Sequence, residues 1–447
     1  MQILQQILFV LLVAVAVWVF ARKVGTIRRN INLGRDEELK DNPGARWRNT
    51  LLMALGQKRM FDKPMVAFLH FIVYAGFIII NVEILEIVLD GIFGTHRLFA
   101  PYLGSFYSFV INFFEILAFS VLSACVIFLL RRNAVRVKRL SMRELAGWPR
   151  SDANYILLFE IVLMSLFLIM NAADKALQLR QYGHYAHVET TFWISGIITP
   201  LFQDMSTASL LAIERGAWWL HIAGIFVFLN YLPYSKHLHI ILAFPNTYFA
   251  RLKPQAQMTN MPEIQREVLF AMDPGAAANA PAAEEGHTRF GAKDVPDLSW
   301  KNLLDAYTCT ECGRCTQACP ANQTGKLLSP RKIMMDTRDR MEEIGNAKVG
   351  ADGAVADDGK SLLHDYITTE ELWACTSCQA CVQVCPVLID PLHIINQLKR
   401  YLALEESNQP AEWNGMYSNV ENNFAPWKFS PDDRANWAVE LNQQQDS

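Results

Sequence analysis

Five stretches of this 447-residue chain, residues 3–20, 65–89, 103–130, 155–173 and 216–232, are apolar and long enough to cross a hydrocarbon core about 30 Å thick. Nothing else constrains the fold as strongly. Inside lipid each segment must satisfy its own backbone amides and carbonyls, so the stretches become helices and the set becomes a helical bundle. The first stretch has no basic leader or small-residue cleavage pattern and runs straight into Arg22 and Lys23, which reads as a span rather than a removed signal. Charge and cysteine then divide the chain. Through Ala250, Lys and Arg outnumber Asp and Glu by 23 to 16; beyond it they are outnumbered by 28 to 18, and eight of the nine cysteines fall in that second part. This pattern argues against a secreted disulfide scaffold, a nucleic-acid binder or a single soluble globule. It describes a membrane anchor joined to a soluble, metal-loaded domain.

Loop charges orient the anchor. Residues 21–63 carry eleven Lys or Arg, and the loop after the third stretch carries seven, from Arg131 to Arg150. The opposite connections hold only Arg97 in one and Lys175, Arg180 and Arg215 in the other. By the positive-inside tendency the N-terminus lies outside, and the C-terminal half faces the cytoplasm of a multi-pass inner-membrane protein.

The cysteines carry the chemistry. Cys309, Cys312, Cys315 and Cys319-Pro320 form one C-x-x-C-x-x-C-x-x-x-C-P run, and Cys375, Cys378, Cys381 and Cys385-Pro386 form a second. Three thiolates at this spacing wrap one face of an iron-sulfur cube, while the fourth is carried too far round and ligates the other cube. The expected sets are Cys309, Cys312, Cys315 and Cys385 for the first [4Fe-4S] cluster, and Cys375, Cys378, Cys381 and Cys319 for the second. Structural zinc or disulfides do not account for three-plus-one cysteines followed by proline, twice over. Helical periodicity after each motif, at 329–345 and 391–404, predicts a helical ferredoxin around the clusters. The expected organisation is a spanning domain over 1–251, a flexible linker over 252–299 with a Gly/Ala/Pro-rich centre, the dicluster domain over 300–405 and a tail over 406–447. A further glycine-rich loop is expected at 350–359.

Histidines within spans need hydrogen bonds or a metal. His70 lies near the cytoplasmic end of the second span, His221 lies in the fifth, and His237 and His239 follow at the fifth span's cytoplasmic end. On an unbroken helix, His221 and His239 lie five whole turns and about 27 Å apart on one face, while His237 points away by about 160°. Pro233 stands between them and can kink that helix. By depth, His70 and His239 are the expected haem b pair; His237 reads as an interfacial or solvated ring.

Trp218-Trp219-Leu220-His221, Tyr234 to His239, and Pro245-Asn246 resemble the cytochrome b (gamma) subunit of respiratory nitrate reductase and the related membrane subunit of heterodisulfide reductases. The resemblance covers residues 1–251 and implies two haems held by two histidines on each of the second and fifth spans. Ile80 stands where the second span's other histidine is expected, so His221 lacks its counterpart, and the haem count is open between one and two. Quinone reduction moves protons with electrons, which makes the intramembrane carboxylates Glu83 and Glu86 candidate quinone-site residues; interhelical hydrogen bonding is the competing reading.

Tyr307 to Cys315, Thr324 to Lys332, Leu372 to Cys378 and Asn419 to Trp427 resemble membrane oxidoreductases that pass electrons from electron transfer flavoprotein to quinone. The fold class expected is all-α: a five-span cytochrome b bundle plus an α-helical ferredoxin domain with two [4Fe-4S] clusters. The function implied is electron transfer between a cytoplasmic redox partner and the membrane quinone pool through the clusters and haem b, as the quinone-linked oxidoreductase part of a complex. In the family a cysteine-rich iron-sulfur module normally follows the segment at 419–437. No cysteine follows Cys385 here, and a separate cytoplasmic subunit carrying that module is expected to dock on the tail. The alternatives are a disulfide or sulfur-metabolism reductase complex running from quinol to a cytoplasmic acceptor, and a non-catalytic scaffold. The direction of electron flow is not legible, because cluster potentials depend on hydrogen bonds and burial.

Overall fold

The computed structural model describes residues 2–187, 190–254, 257–273, 275, 289–347 and 358–445. Among them the chain is helical, without strands. Five helices are long and apolar enough to cross a membrane: α1 (Gln2–Ile31), α2 (Pro64–Phe93), α3 (Ser105–Asn133), α4 (Trp148–Leu179) and α5 (Thr207–Tyr231). Most overrun their apolar stretch. The last turns of α1, past Arg22, do so because they have a protein surface to cover: Ile27 and Asn30 are buried there.

Small residues set how closely the helices approach. Ala118 and Ala124 on α3 and Ala172 and Ala173 on α4 are fully buried, as expected where lipid offers no hydrophobic driving force and contact must come from backbones drawing together. At Gly76 on α2 an added Cβ would stand 2.5 Å from Val121 Cγ2 on α3, so any side chain there would push Val121 aside. Helices α2 to α5 pack in sequence, α4 against α5 most extensively, and α1 lies against α2 and α5.

At one end of the bundle a set of buried polar residues is joined in one network. Arg97 donates to Asp174 (2.8 Å), Asn171 (2.9 Å) and Tyr107 (3.2 Å). Tyr107 donates in turn to Glu86 Oε2 at 2.8 Å, and the Phe99 amide donates to Glu86 Oε1 at 2.8 Å.

The other end carries the cysteine-rich half. After α5 the chain breaks into two short 3-10 turns, Leu232–Tyr234 and Lys236–Leu238, before α6 (His239–Tyr248). Where a flexible linker was expected, α7 (Pro262–Met272) forms, and the linker's final part is packed, with Ala292, Val295 and Leu298 buried. The composition of 252–299 as a whole hid the apolar residues at its end. The linker centre, 276–288, and most of the glycine-rich loop, 348–357, lie outside the described residues. The cluster domain follows with α8 (Trp300–Thr308), α9 (Pro330–Asn346) and α10 (Pro391–Leu404). Ser329 caps α9 by accepting from the Lys332 amide (3.3 Å), and Asp390 caps α10 by accepting from the His393 amide (2.9 Å). In both, proline occupies the first turn, where no amide is needed. Helix α11 (Ala411–Asn423) in the tail buries none of its side chains.

The two halves share one apolar core. Ile27, Ala54, Leu238 and Ala243 from the membrane half pack with Leu303, Ile333, Leu372 and Ile395 from the cluster half. Polar contacts fix the register: Asn30 donates to the Tyr307 hydroxyl at 2.9 Å, Lys301 Nζ to Asn246 at 2.9 Å, and Asn246 to the Val387 carbonyl at 2.9 Å. Arg251 forks onto Glu37 at 2.8 and 2.6 Å. Burial pushes the Glu37 carboxyl up, but the Arg251 guanidinium outweighs it and holds the group down at about 2, against an ordinary 4.5. A carboxylate depressed in the folded state stabilises fully above its unfolded value and loses that contribution as pH falls toward the folded one. Thermal unfolding in detergent should therefore show a loss of stability between about pH 4.5 and 2 that Glu37→Gln removes. Arg251→Ala should cost about 1–3 kcal/mol at neutral pH by removing the charged partner of half-buried Glu37, which keeps only the Ser299 hydroxyl.

Candidate functional site

The two cysteine runs fold as copies of one loop. In the first, α8 ends at Thr308, the chain turns through positive φ at Glu311 (52°) and Gly313 (71°), and a short helix at Arg314–Ala318 leads to Cys319-Pro320. In the second, a helix at Thr369–Trp373 ends before Ser377 (56°) and Gln379 (61°), the equivalent positions, and a short helix at Ala380–Gln383 leads to Cys385-Pro386. The left-handed residues on either side of each middle cysteine curl the backbone around the sulfurs. The Ser377 amide points at Cys375 Sγ (3.4 Å) and the Ile389 amide at Cys385 Sγ (3.3 Å). Gly313 has a second reason to lack a side chain, since a Cβ would collide with the Arg331 guanidinium.

The sulfurs line two small cavities. Cys309, Cys312, Cys315 and Cys385 border one, together with Cys381; Cys319, Cys375, Cys378 and Cys381 border the other. The fourth cysteine of each run thus lies with the first three of the other. Among the described residues no three His, Cys, Asp or Glu side chains converge on one metal-ion point; the cysteines ring cavities instead, which suits a cube of iron and sulfide. Burial pushes the Cys309 and Cys385 thiols up to about 12 and raises Cys315 and Cys381 as well. Deep thiolates of this kind are stable only with a metal to take their charge.

The cavities differ in surroundings. The first lies under the membrane half: Arg139 Nη1 donates to the Cys312 carbonyl at 2.7 Å, and Arg59 Nη1 to the carbonyls of Val382 (3.1 Å) and Cys385 (2.9 Å). Lys236, from the turn before α6, pairs with Glu311. The second reaches the surface at Cys378, the one exposed cysteine among the nine. Beside it Trp373 stacks edge-on against Trp413 of the tail, with centroids 5.0 Å apart.

The membrane half turns two histidines toward each other at this same end. The His70 and His239 rings stand 6.5 Å apart, centroid to centroid, with their planes at 39°. His70 Nδ1 lies 3.0 Å from Gln57 Oε1 and His239 Nδ1 lies 2.9 Å from the Lys236 carbonyl, so an acceptor holds one nitrogen of each ring and leaves Nε2 for a metal. Iron bonded to both Nε2 atoms at about 2 Å would place the centroids about 6 Å apart, close to the separation of this pair.

The phase argument for the fifth span fails at Pro233. Because α5 stops at Tyr231 and 3-10 turns follow, His221 and His239 do not share one helix. His221 is buried and faces α4, with Nδ1 2.9 Å from the Leu163 carbonyl and Phe167 alongside at 6.0 Å. Among the described residues it meets no second histidine, and Ile80 is packed in the α3–α4 core. The residues present therefore do not fit a second bis-histidine haem. His237, expected to be interfacial, is half-buried. It stacks on His239 at 5.6 Å and meets the edge of Phe228.

Glu83 and Glu86 lie away from this site. Thirteen residues of α2 separate Glu83 from His70, about 20 Å of rise. Glu86 is consumed by Tyr107 and the Phe99 amide, the interhelical role. Glu83 is buried with Oε2 unpartnered among the described residues. A cavity of about 1300 Å³ opens at that far end, lined among others by Asp90, His96, Arg215 and Trp218, and neither glutamate borders it. Arg59, Arg139 and Gln57 went unnoticed as site residues. Their only signal was membership of basic loops, which reports orientation and not contact.

Residues 308–389 match the 4Fe-4S dicluster domain. Across 97% of its length the chain is 28% identical to the probable iron-sulfur-binding oxidoreductase FadF of Bacillus subtilis, and across 95% it is 27% identical to the EtfAB:quinone oxidoreductase of Syntrophomonas wolfei. It spans 61% and 56% of those two proteins. A probable membrane-anchored ferredoxin of Chromohalobacter salexigens is 31% identical over 35% of the chain, and that match covers 25% of the ferredoxin. No solved structure matches. The chain is an iron-sulfur electron-transfer protein with a C-terminal dicluster domain. Low-temperature EPR should show Cys319→Ser altering the cluster held mainly by Cys375, Cys378 and Cys381, and Cys385→Ser altering the other. If each substitution damages only its own motif's cluster, the exchange is refuted.

Proposed function

We propose that this chain is the membrane electron-transfer part of a quinone-linked oxidoreductase, connecting a soluble redox partner with the quinone pool. Two [4Fe-4S] clusters and one haem b, held by His70 and His239, supply its one-electron carriers. The observation that supports this reading is the order of the candidate sites: an exposed edge at Cys378, two cysteine-lined cavities sharing Cys381 as a wall, and the histidine pair at the cluster-facing end of the bundle. The basic loops at 21–63 and 131–150 lie at that end, which supports a cytoplasmic position for the clusters and an outside N-terminus. The Syntrophomonas relative's name, with its flavoprotein and quinone, supports electron transfer flavoprotein as the ultimate soluble donor.

The tail supports a docked partner. Tyr417, Val420, Phe424, Trp427 and Trp437 are all exposed, and aromatic residues of this kind serve as interface anchors. Both long relatives extend beyond the span they share with this chain. A cysteine-rich iron-sulfur subunit bound through the tail fits both facts.

A reduced-minus-oxidised spectrum of the purified protein should show b-type haem, and pyridine haemochrome quantitation should give one per chain. His70→Ala and His239→Ala should each abolish it, while His221→Ala and His237→Ala retain it. Reduction of that haem by a quinol or by the soluble partner supports the wire; centres silent to both leave only a scaffold. In mild-detergent affinity purification the full chain should recover a second iron-sulfur polypeptide, and the chain lacking residues 411–447 should lose it.

A further inference from the structure

One short segment touches both redox sites. Gln57-Lys58-Arg59-Met60 lies between the π-helical turn Thr50–Leu55 and α2. Its first residue is buried, 6% exposed, and held at φ 48°, a left-handed conformation unusual for glutamine. Strained backbone of this kind persists only where the surroundings over-determine it, and π-turns recur at functional sites. The surroundings here are the redox centres themselves. Gln57 Oε1 faces His70 Nδ1 at 3.0 Å. Two residues on, Arg59 Nη1 donates to the Val382 and Cys385 carbonyls, the second belonging to the ligand that the other motif lends to the first cluster. Arg314, beside Cys315, grips the segment from the other side, with Nη1 on the Arg59 carbonyl at 2.8 Å and Nη2 on Met60 Sδ at 3.4 Å. Cys385 of one motif, Arg314 of the other and one imidazole are thus tied to four consecutive residues.

We propose that Gln57 and Arg59 are positioning residues of a junction that sets the potentials of the first cluster and the His70 centre together and holds the two in fixed register. This rests on the functional reading above. The physical basis is short-range. A guanidinium pinned against the Cys385 carbonyl favours the reduced, more negative form of the adjacent cluster and so raises its potential, since hydrogen bonding and local charge are the protein's levers on such centres. The second cavity is not lined by Arg59. A carboxamide oxygen accepting from His70 Nδ1–H makes Nε2 a better donor and stabilises the oxidised metal. Because one rigid segment does both, a change at either residue is felt at both centres.

Potentiometric EPR on the full-length protein in detergent tests this. Arg59→Gln should shift the first cluster to lower potential, leave the second unchanged, and alter the haem g-values although Arg59 touches no haem ligand. Arg59→Lys, which keeps the charge and loses the planar guanidinium, should restore most of the potential, and Gln57→Leu should raise the haem potential. The signal of the second cluster serves as the control for folding in every variant. Equal shifts in both clusters, or none in either, overturn the junction. A wild-type protein with no b-type haem overturns the functional reading instead, whatever Arg59→Gln does to the clusters.

Discussion

The carbonyl oxygens beside the cluster cysteines depend on donors from outside the cluster domain. A backbone curled around sulfurs points its amides inward and its carbonyls out, and those carbonyls need partners once buried. The membrane half supplies them: Arg139 for Cys312, Arg59 for Val382 and Cys385, and Asn246 for Val387. Arg331 closes the arrangement from the cluster side, donating to the Arg139 carbonyl at 2.7 Å and pairing with Glu144 at 2.7 Å while fully buried. The soluble half is therefore docked and not tethered. Its geometry relative to the bundle is part of the fold.

Docking decides which cavity is covered and which stays open. The first cavity is closed over by basic loops of the bundle, and the second keeps Cys378 at the surface. Cys319 and Cys385 each border the cavity of the other run, so each cavity is built from both loops. The core around these loops is continuous with Ile27 and Leu238 of the membrane half.

The histidines show how far periodicity reaches. An ideal helix from His221 to His239 points to the residue that meets His70, but for a reason that does not hold, since the helix ends at Tyr231. His239 meets His70 because two 3-10 turns and a new helix carry it there, and His237 is drawn onto the same ring stack. His221 stays behind against Leu163. Proline at 233 was visible in the sequence; the path of the chain after it was not.

Much was legible in the sequence because it rests on local rules. Apolar length yields five spans, three-plus-one cysteine spacing followed by proline yields two cluster loops, and Ser-Pro and Asp-Pro mark the starts of α9 and α10. These follow from backbone solvation, ligand reach and capping, each decided within a few residues. Contacts between distant segments were decided only by tertiary structure: the burial of 289–299, the closing of Glu86 onto Tyr107, and the approach of Gln57 to His70 and of Arg59 to Cys385. A basic loop looks the same in sequence whether its arginines face phosphates or the carbonyls of a folded domain, because charge is a property of the residue and its partner a property of the whole chain.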